Sequence, residues 1–277
     1  MKQRVVLVTG ASSGIGKATA KLFAEQGYIT YATARHSETF PVLQAFGCQP
    51  LRIDVTDELS MGTAMQEIEG KHGAVDILIN NAGYSQAGPL EEVSIAAPRK
   101  QFETNVCGLL RMSQLVLPGM RRQGWGRIIN LSSVAGVVTM PGVGAYAMSK
   151  HAVETLSDAL RCEVKPFGVG VICIQPGGVA TNFAQVEEQL FDAGQQDGPY
   201  ATFCQNVISV LRQGASTNSA VILKPEDVAR VILKAATVHH PRTRYKVGPL
   251  AKILPLVRTV LPDRVWDRFM AIQFKMS

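Results

Sequence analysis

Short β-branched runs alternate with longer helical stretches along this chain, and that alternation restricts the folds open to it more than any other feature. The runs are Val5 to Thr9, Ile29 to Ala34, Leu51 to Asp54, Ile77 to Asn80, Arg127 to Leu131 and Gly170 to Gln175. Between them the spacing of apolar residues predicts helices around Gly14 to Gln26, Leu59 to Lys71, Pro98 to Arg122 and Ala145 to Val164. Strand and helix in strict alternation require right-handed crossovers, which give a parallel sheet covered on both faces. The expected fold class is therefore α/β: a doubly wound parallel sheet of Rossmann type, formed as a single domain over residues 1–277.

The beat loosens after Pro176. Thr181 to Asn218 is polar and interrupted, then a helix is expected over Pro225 to Ala236 and a last strand over Arg244 to Val247. A long irregular stretch within a compact domain usually serves as a lid or binding loop, so 181–224 is assigned to the substrate and 225–248 to the closing helix and strand. The segment 249–277 holds Lys252, Arg258, Arg264, Arg268 and Lys275 against Asp263 and Asp267, interleaved with Leu254, Leu256, Val257, Leu261, Val265, Trp266 and Phe269. A basic amphipathic helix of this kind lies on a membrane surface, or else covers a pocket or a subunit contact; the second reading is preferred.

Composition excludes several classes. The net charge of +6 is moderate, with no Lys/Arg block and no basic stripe interleaved with aromatics, so a nucleic-acid partner is not expected. The strand pattern begins at Arg4, which leaves no room for a signal peptide, and no apolar run approaches the roughly 18 residues of a membrane span. Five scattered cysteines (Cys48, Cys107, Cys162, Cys173, Cys204) without a Cys-x-x-Cys pair read as free thiols in a reducing cytosol, with neither a disulfide framework nor a metal site. A cytoplasmic protein is expected.

Two clusters carry chemistry. Gly10, Gly14 and Gly16 lie between the first strand and the first helix, where missing side chains permit a tight turn and the approach of a pyrophosphate to backbone N–H groups. Lys150 follows Tyr146 by four residues, so a helix stacks phenol and ammonium on one face, and the cation favours a phenolate. Tyr146 then becomes usable as an acid or base. Ser133 lies upstream. A serine-hydrolase reading of Ser133 fails because no His and acid fall at suggestive positions; His151 is one residue out of register with Tyr146.

With these motifs in view the chain resembles the short-chain dehydrogenase/reductase family over nearly its whole length, most of all its 17β-hydroxysteroid-dehydrogenase-like and retinoid-reductase-like members. Thr9 to Gly16, including Ser12, Ser13 and Ile15, is similar to the family's Thr-Gly-x-x-x-Gly-x-Gly; Asn80-Asn81-Ala82-Gly83 is similar to its Asn-Asn-Ala-Gly; Asp54-Val55 falls where the family contacts adenine. Asn105, Ser133, Tyr146 and Lys150 match the catalytic tetrad, and Pro176-Gly177 with Val179 and Thr181 matches the nicotinamide segment. The resemblance implies that Ser133 hydrogen-bonds a substrate carbonyl and Tyr146 passes the proton. Lys150 holds the nicotinamide ribose and tunes Tyr146, while Asn105 supports a water-linked relay. Asn81 and Gly83 line the cofactor cleft, and Val179 and Thr181 fix the carboxamide. It also implies a homodimer or homotetramer, with the helices around Asn105 and Tyr146 at the contact.

The second strand ends in Ala34-Arg35, where an NAD enzyme usually places an acid; Arg35 offers a cationic fork for a 2′-phosphate, and Ser13 a second donor. NADP(H) is the expected cofactor, with Glu38 as the competing acid. Phe183, Leu190, Phe191, Tyr200, Phe203 and Tyr84 are candidates to wall an apolar pocket. The expected activity is an NADP(H)-dependent carbonyl reductase or alcohol dehydrogenase acting on a lipophilic ketone or aldehyde. The alternatives are an NAD-dependent alcohol dehydrogenase and a catalytically silent dinucleotide-sensing module, against which the unsubstituted tetrad speaks.

Overall fold

The computed structural model describes residues 3–181, 198–215 and 221–276. Its centre is a seven-stranded sheet in the order β3-β2-β1-β4-β5-β6-β7, every neighbouring pair parallel. The strands are β1 (Val5–Val8), β2 (Ile29–Ala34), β3 (Gln49–Arg52), β4 (Ile77–Asn80), β5 (Gly126–Leu131), β6 (Val169–Pro176) and β7 (Arg244–Val247). Strand order reverses beside β1, and in open α/β sheets the crevice at the carboxyl ends of the strands flanking such a reversal is where ligands bind.

The apolar runs are continuous because both faces are covered. Val5 and Leu7 of β1 point into a layer with Leu78, Ile128 and Val171, closed by Met61 and Ile68 of α3 (Glu58–His72) and by Met112, Val116 and Met120 of α5 (Gly108–Arg122). Val6 and Val8 point the other way, into a layer with Ile79, Ile129 and Ile172, closed by Ala20 and Phe23 of α1 (Gly14–Glu25) and by Val228 and Ile232 of α8 (Pro225–Thr237). Register is fixed by this two-sided burial: Leu7 stands opposite Tyr31 on one side and Leu78 on the other. Truncating a fully buried residue such as Ile128 or Ile129 is expected to cost about 2–5 kcal/mol.

Four expectations change in detail. β3 begins and ends two residues early, because Asp54 is drawn into a turn in which its carboxylate accepts from the Thr56 N–H and hydroxyl. A short helix α2 (Phe40–Ala45), not expected, follows β2. The long helix expected over Pro98 to Arg122 is α4 (Ala96–Phe102), a π turn (Glu103–Cys107) and then α5; π turns inside helices are frequent at functional sites, and this one holds Asn105. Finally, the stretch expected to be irregular contains α7 (Ala201–Ala215). Its polar residues masked the helical period, and burial of Cys204 and Val207 against Trp266 and Met270 of the C-terminal segment overrides weak local preference.

Candidate active site

β1 delivers the chain to a cradle built from backbone. Gly10 (φ +65°) and Gly14 (φ +54°) adopt a conformation that favours glycine, and a Cβ on Gly10 would stand 2.8 Å from the Ala82 Cα. Two loops are therefore pressed together and stitched by side chains. The Asn81 amide donates to the Thr9 and Gly10 carbonyls (2.9 and 3.0 Å), while the Thr9 hydroxyl accepts from the Asn81 and Ala82 N–H groups. Helix α1 starts here without a side-chain cap, so its first N–H groups, with Ser12, Ser13, Gly14 and Ile15, face a cavity of about 860 Å³. An uncapped helix start carries partial positive charge and suits a pyrophosphate. Gly16 does not line the cavity; it lets α1 pack against the Gly10 carbonyl.

At one end of the cavity lie Ala34, Arg35, Asp54 and Val55. Burial alone would raise the Asp54 carboxyl, but hydrogen bonds from Thr56 and the charges of Arg35 and Arg52 outweigh it and hold it below the usual range. Arg35 is exposed and also opposes the burial-raised phenol of Tyr84, so its charge reaches across this end of the cavity. Glu38 does not line it.

Ser133, Tyr146 and Lys150 line the middle, with Asn81, Ala82 and Gly83 on one side and Pro176, Gly177, Val179 and Thr181 on the other. Tyr146 and Lys150 stand one turn apart on α6 (Gly144–Val164), the Lys150 Nζ 5.7 Å from the Tyr146 ring centroid. The Ser133 hydroxyl accepts from the Ala135 N–H at 3.1 Å, which caps a 3₁₀ turn and fixes its oxygen. Asn105 is buried behind the cavity instead of lining it. Its amide donates to the Tyr84 carbonyl (2.9 Å) and the Ser149 hydroxyl (3.0 Å), and its oxygen accepts from the Tyr84 N–H, so it ties the π turn to the helix that carries Tyr146 and Ser149. Lys150 is buried and donates to the Leu131 carbonyl at 2.7 Å. Burial pushes its ammonium down to about 8, opposed by Cys173 and Glu154.

Behind Lys150 lies a charge network. Glu154, one turn further along α6, accepts from the Gln175 amide at 2.9 Å and the Arg244 guanidinium at 2.8 Å. Arg244, on β7, also reaches Asp158 at 2.6 Å. That pairing holds the guanidinium above its ordinary range and the Asp158 carboxyl below its own.

The remaining wall is apolar: Met140, Pro141 and Val143 before α6, Val210 of α7, Leu250 and Leu254 of α9 (Pro249–Val260), and Phe274 just beyond α10 (Asp263–Gln273). The segment 249–277 thus forms two helices, split at Leu261-Pro262, and contributes directly to the cavity. Tyr84 lines the cavity as expected. Tyr200 and Phe203 do not; they pack beneath it with Trp266, and the Tyr200 hydroxyl donates to Glu91. Phe183, Leu190 and Phe191 lie outside the described residues.

Residues 4–190 match the protein family described as short chain dehydrogenase. The chain belongs to the short-chain dehydrogenase family. Among curated members it is 35% identical over 266 residues to a 3-ketodihydrosphingosine reductase of Bacteroides thetaiotaomicron, covering 96% of each chain. It is 34% identical to an NADPH-dependent 3-dehydrocapnine reductase of Ornithobacterium rhinotracheale (96% and 95% covered), and 34% identical to the 17-beta-hydroxysteroid dehydrogenase type 1 of Homo sapiens (95% and 82%). Among solved structures, a short-chain dehydrogenase from Streptomyces avermitilis superposes with TM-score 0.80 at 30% identity, covering 100% and 97%. Neighbours solved with cofactor include a serine dehydrogenase with NADP+ (28% identity, TM-score 0.77, 90% and 96% covered) and a Burkholderia phymatum member with NAD (25%, 0.79, 96% and 95%).

For this short-chain dehydrogenase, the sequence reading missed Glu154, Arg244 and, in the apolar wall, Met140, Leu250 and Phe274, while Leu254 lies in the C-terminal segment it read as covering a pocket or a subunit contact. Glu154 carried a signal, since it repeats the four-residue step from Lys150. Arg244 carried none, because only the pairing of β6 with β7 brings it to α6.

Proposed function

We propose that the chain is an NADP(H)-dependent oxidoreductase that interconverts a carbonyl and an alcohol on a lipophilic substrate. The observation that carries this reading is the continuity of one cavity from the Arg35 cation, past Ser133 and Tyr146, to a wall of Met140, Val210, Leu254 and Phe274. The glycine cradle and the uncapped start of α1 suit a dinucleotide, which supplies a hydride acceptor or donor when bound. The names of the relatives act in the same direction, since 3-ketodihydrosphingosine and 17-beta-hydroxysteroids are lipophilic compounds.

In this reading Ser12, Ser13 and the first N–H groups of α1 hold the pyrophosphate, Asp54 and Val55 the adenine, and Arg35 the 2′-phosphate. The Val179 backbone and the Thr181 hydroxyl orient the nicotinamide amide. Ser133 and Tyr146 present two hydroxyls to one substrate oxygen, stabilising the negative charge that develops there. Tyr146 gives its proton to that oxygen in reduction and takes it back in oxidation. The Lys150 ammonium lowers the cost of the phenolate this leaves, and Asn105 holds the π turn so that a water-linked path to Lys150 stays open. Exposed Phe102, Leu110 and Met148, on α4, α5 and α6, support a homodimeric or homotetrameric contact on those helices, which sedimentation tests.

The functional test is initial rates with NADPH and NADH over a series of ketones and aldehydes of rising chain length. Efficiency is expected to rise with apolar length and to favour NADPH by about 10- to 100-fold, the value of one charge-assisted contact. A preference for short polar carbonyls, or for NADH, overturns the corresponding half of the reading.

A further inference from the structure

The C-terminal helices bury only part of their apolar surface. Sixteen large hydrophobic side chains are exposed among the described residues, and six of them lie here: Ile253, Leu256 and Val260 on α9, Val265, Phe269 and Ile272 on α10. Val260, Ile272 and Leu256 are 78%, 72% and 63% exposed, far beyond what partial packing leaves. On each helix the exposed residues form one stripe. Ile253, Leu256 and Val260 each precede an inward residue (Leu254, Val257, Leu261), and Val265 and Phe269 precede Trp266 and Met270. At 3.6 residues per turn, one residue is a rotation of about 100°, so each stripe stands beside the inward seam and turns away from the core. Scattered exposed hydrophobics need no explanation, but a stripe on each of two consecutive helices does.

Charge identifies the occupant. The segment carries five cations and two acids, and Arg258 already pairs with Asp263 at 2.6 Å. Lys252, Arg264, Arg268 and Lys275 remain exposed, with Asp267 as the one other acid of the segment. A second copy of the chain docking here by a two-fold axis would set this net-positive face against the same net-positive face. An anionic surface meets both requirements, because apolar side chains enter the acyl boundary while cations meet headgroups. No helix among the described residues is long and apolar enough to cross a membrane, so the contact is peripheral.

We propose that α9 and α10 form a docking surface for an anionic lipid bilayer. The inward faces of the same segment supply Leu250, Leu254 and Phe274 to the cavity, so docking sets a cavity wall beside the bilayer. The inference rests on the outward faces alone and stands whatever substrate the cavity takes.

The test is flotation of the full-length protein with vesicles of equimolar phosphatidylglycerol and phosphatidylcholine, against phosphatidylcholine alone. The intact protein is expected to float with the anionic vesicles and to be released by high salt. Leu256→Asp/Val260→Asp and Arg264→Glu/Arg268→Glu, all at exposed positions, are each expected to lower anionic-vesicle binding by at least ~10-fold while leaving circular dichroism and turnover of a water-soluble carbonyl unchanged. Failure of the intact protein to float, or equal flotation of folded variants, overturns the proposal. Absence of flotation together with a smaller sedimenting species for Leu256→Asp/Val260→Asp assigns the face to a second copy and overturns it equally.

Discussion

Replacing Lys150 by Met is expected to stabilise the cofactor-free protein at neutral pH while removing its activity. Burial lowers the Lys150 ammonium from its ordinary 10.5 to about 8. At 1.36 kcal/mol per unit this corresponds to a folding cost of about 3 kcal/mol. The sign follows from proton binding. Below pH 8 the group is charged in both folded and unfolded chains, and the full cost of burying the charge is present. Between pH 8 and 10.5 the folded chain loses its proton first, the unfolded chain binds more protons, and stability rises with pH. Above 10.5 both are neutral and the cost is gone.

Met matches the length and volume of the lysine stem, so the cavity term is small. The substitution orphans the buried Leu131 carbonyl, at a cost of about 1–3 kcal/mol, while Glu154 keeps Gln175 and Arg244 as partners. A net gain of up to about 2 kcal/mol is expected at pH 7, shrinking to zero or below by pH 10, read from urea midpoints at a series of pH values. Turnover falls by at least ~10². A variant less stable than the parent at pH 7, with the same pH slope between 8 and 10, would refute the claim that Lys150 is a destabilising charge retained for chemistry.

Other changes address separate links. Tyr146→Phe is expected to retain folding and NADPH binding, measured by fluorescence titration, and to lower turnover by about 10²-fold or more. Ala34→Asp with Arg35→Ile is expected to shift the NADPH-to-NADH ratio of catalytic efficiencies by about 10- to 100-fold towards NADH, without changing the Tyr146-dependent pH limb. Glu154→Gln leaves one acceptor oxygen for the two donors Gln175 and Arg244 and removes the charge that supports the Lys150 ammonium, so the alkaline limb of the turnover profile is expected to move to lower pH. The same change is expected to cost about 1–3 kcal/mol of stability in urea, discounted for the partial exposure of Arg244.

What the sequence disclosed and what it withheld divide along a physical line. β1 to α1 was legible because a strand, a glycine turn and a helix start are each written locally, and the cradle they form is made of backbone. Tyr146 and Lys150 were legible for the same reason, since helical spacing alone puts them on one face. A motif match singled out Asn105 but not the π turn that carries it, because the Asn105 side chain docks on Tyr84 and Ser149, which are distant in sequence. Arg244 depends on strand order, and α7 on burial against the C-terminal helices, so neither is encoded in its own window. The C-terminal segment is the instructive case. Its amphipathic pattern was read as a choice between a membrane surface and the cover of a pocket or subunit contact, because a period reports how many residues are apolar on a helix and not how wide an arc the core will take. The fold covers the arc through Leu254, Val257, Trp266 and Met270 and leaves the arc through Leu256, Val260, Val265 and Phe269 bare, so covering the core uses only part of the apolar surface of these two helices.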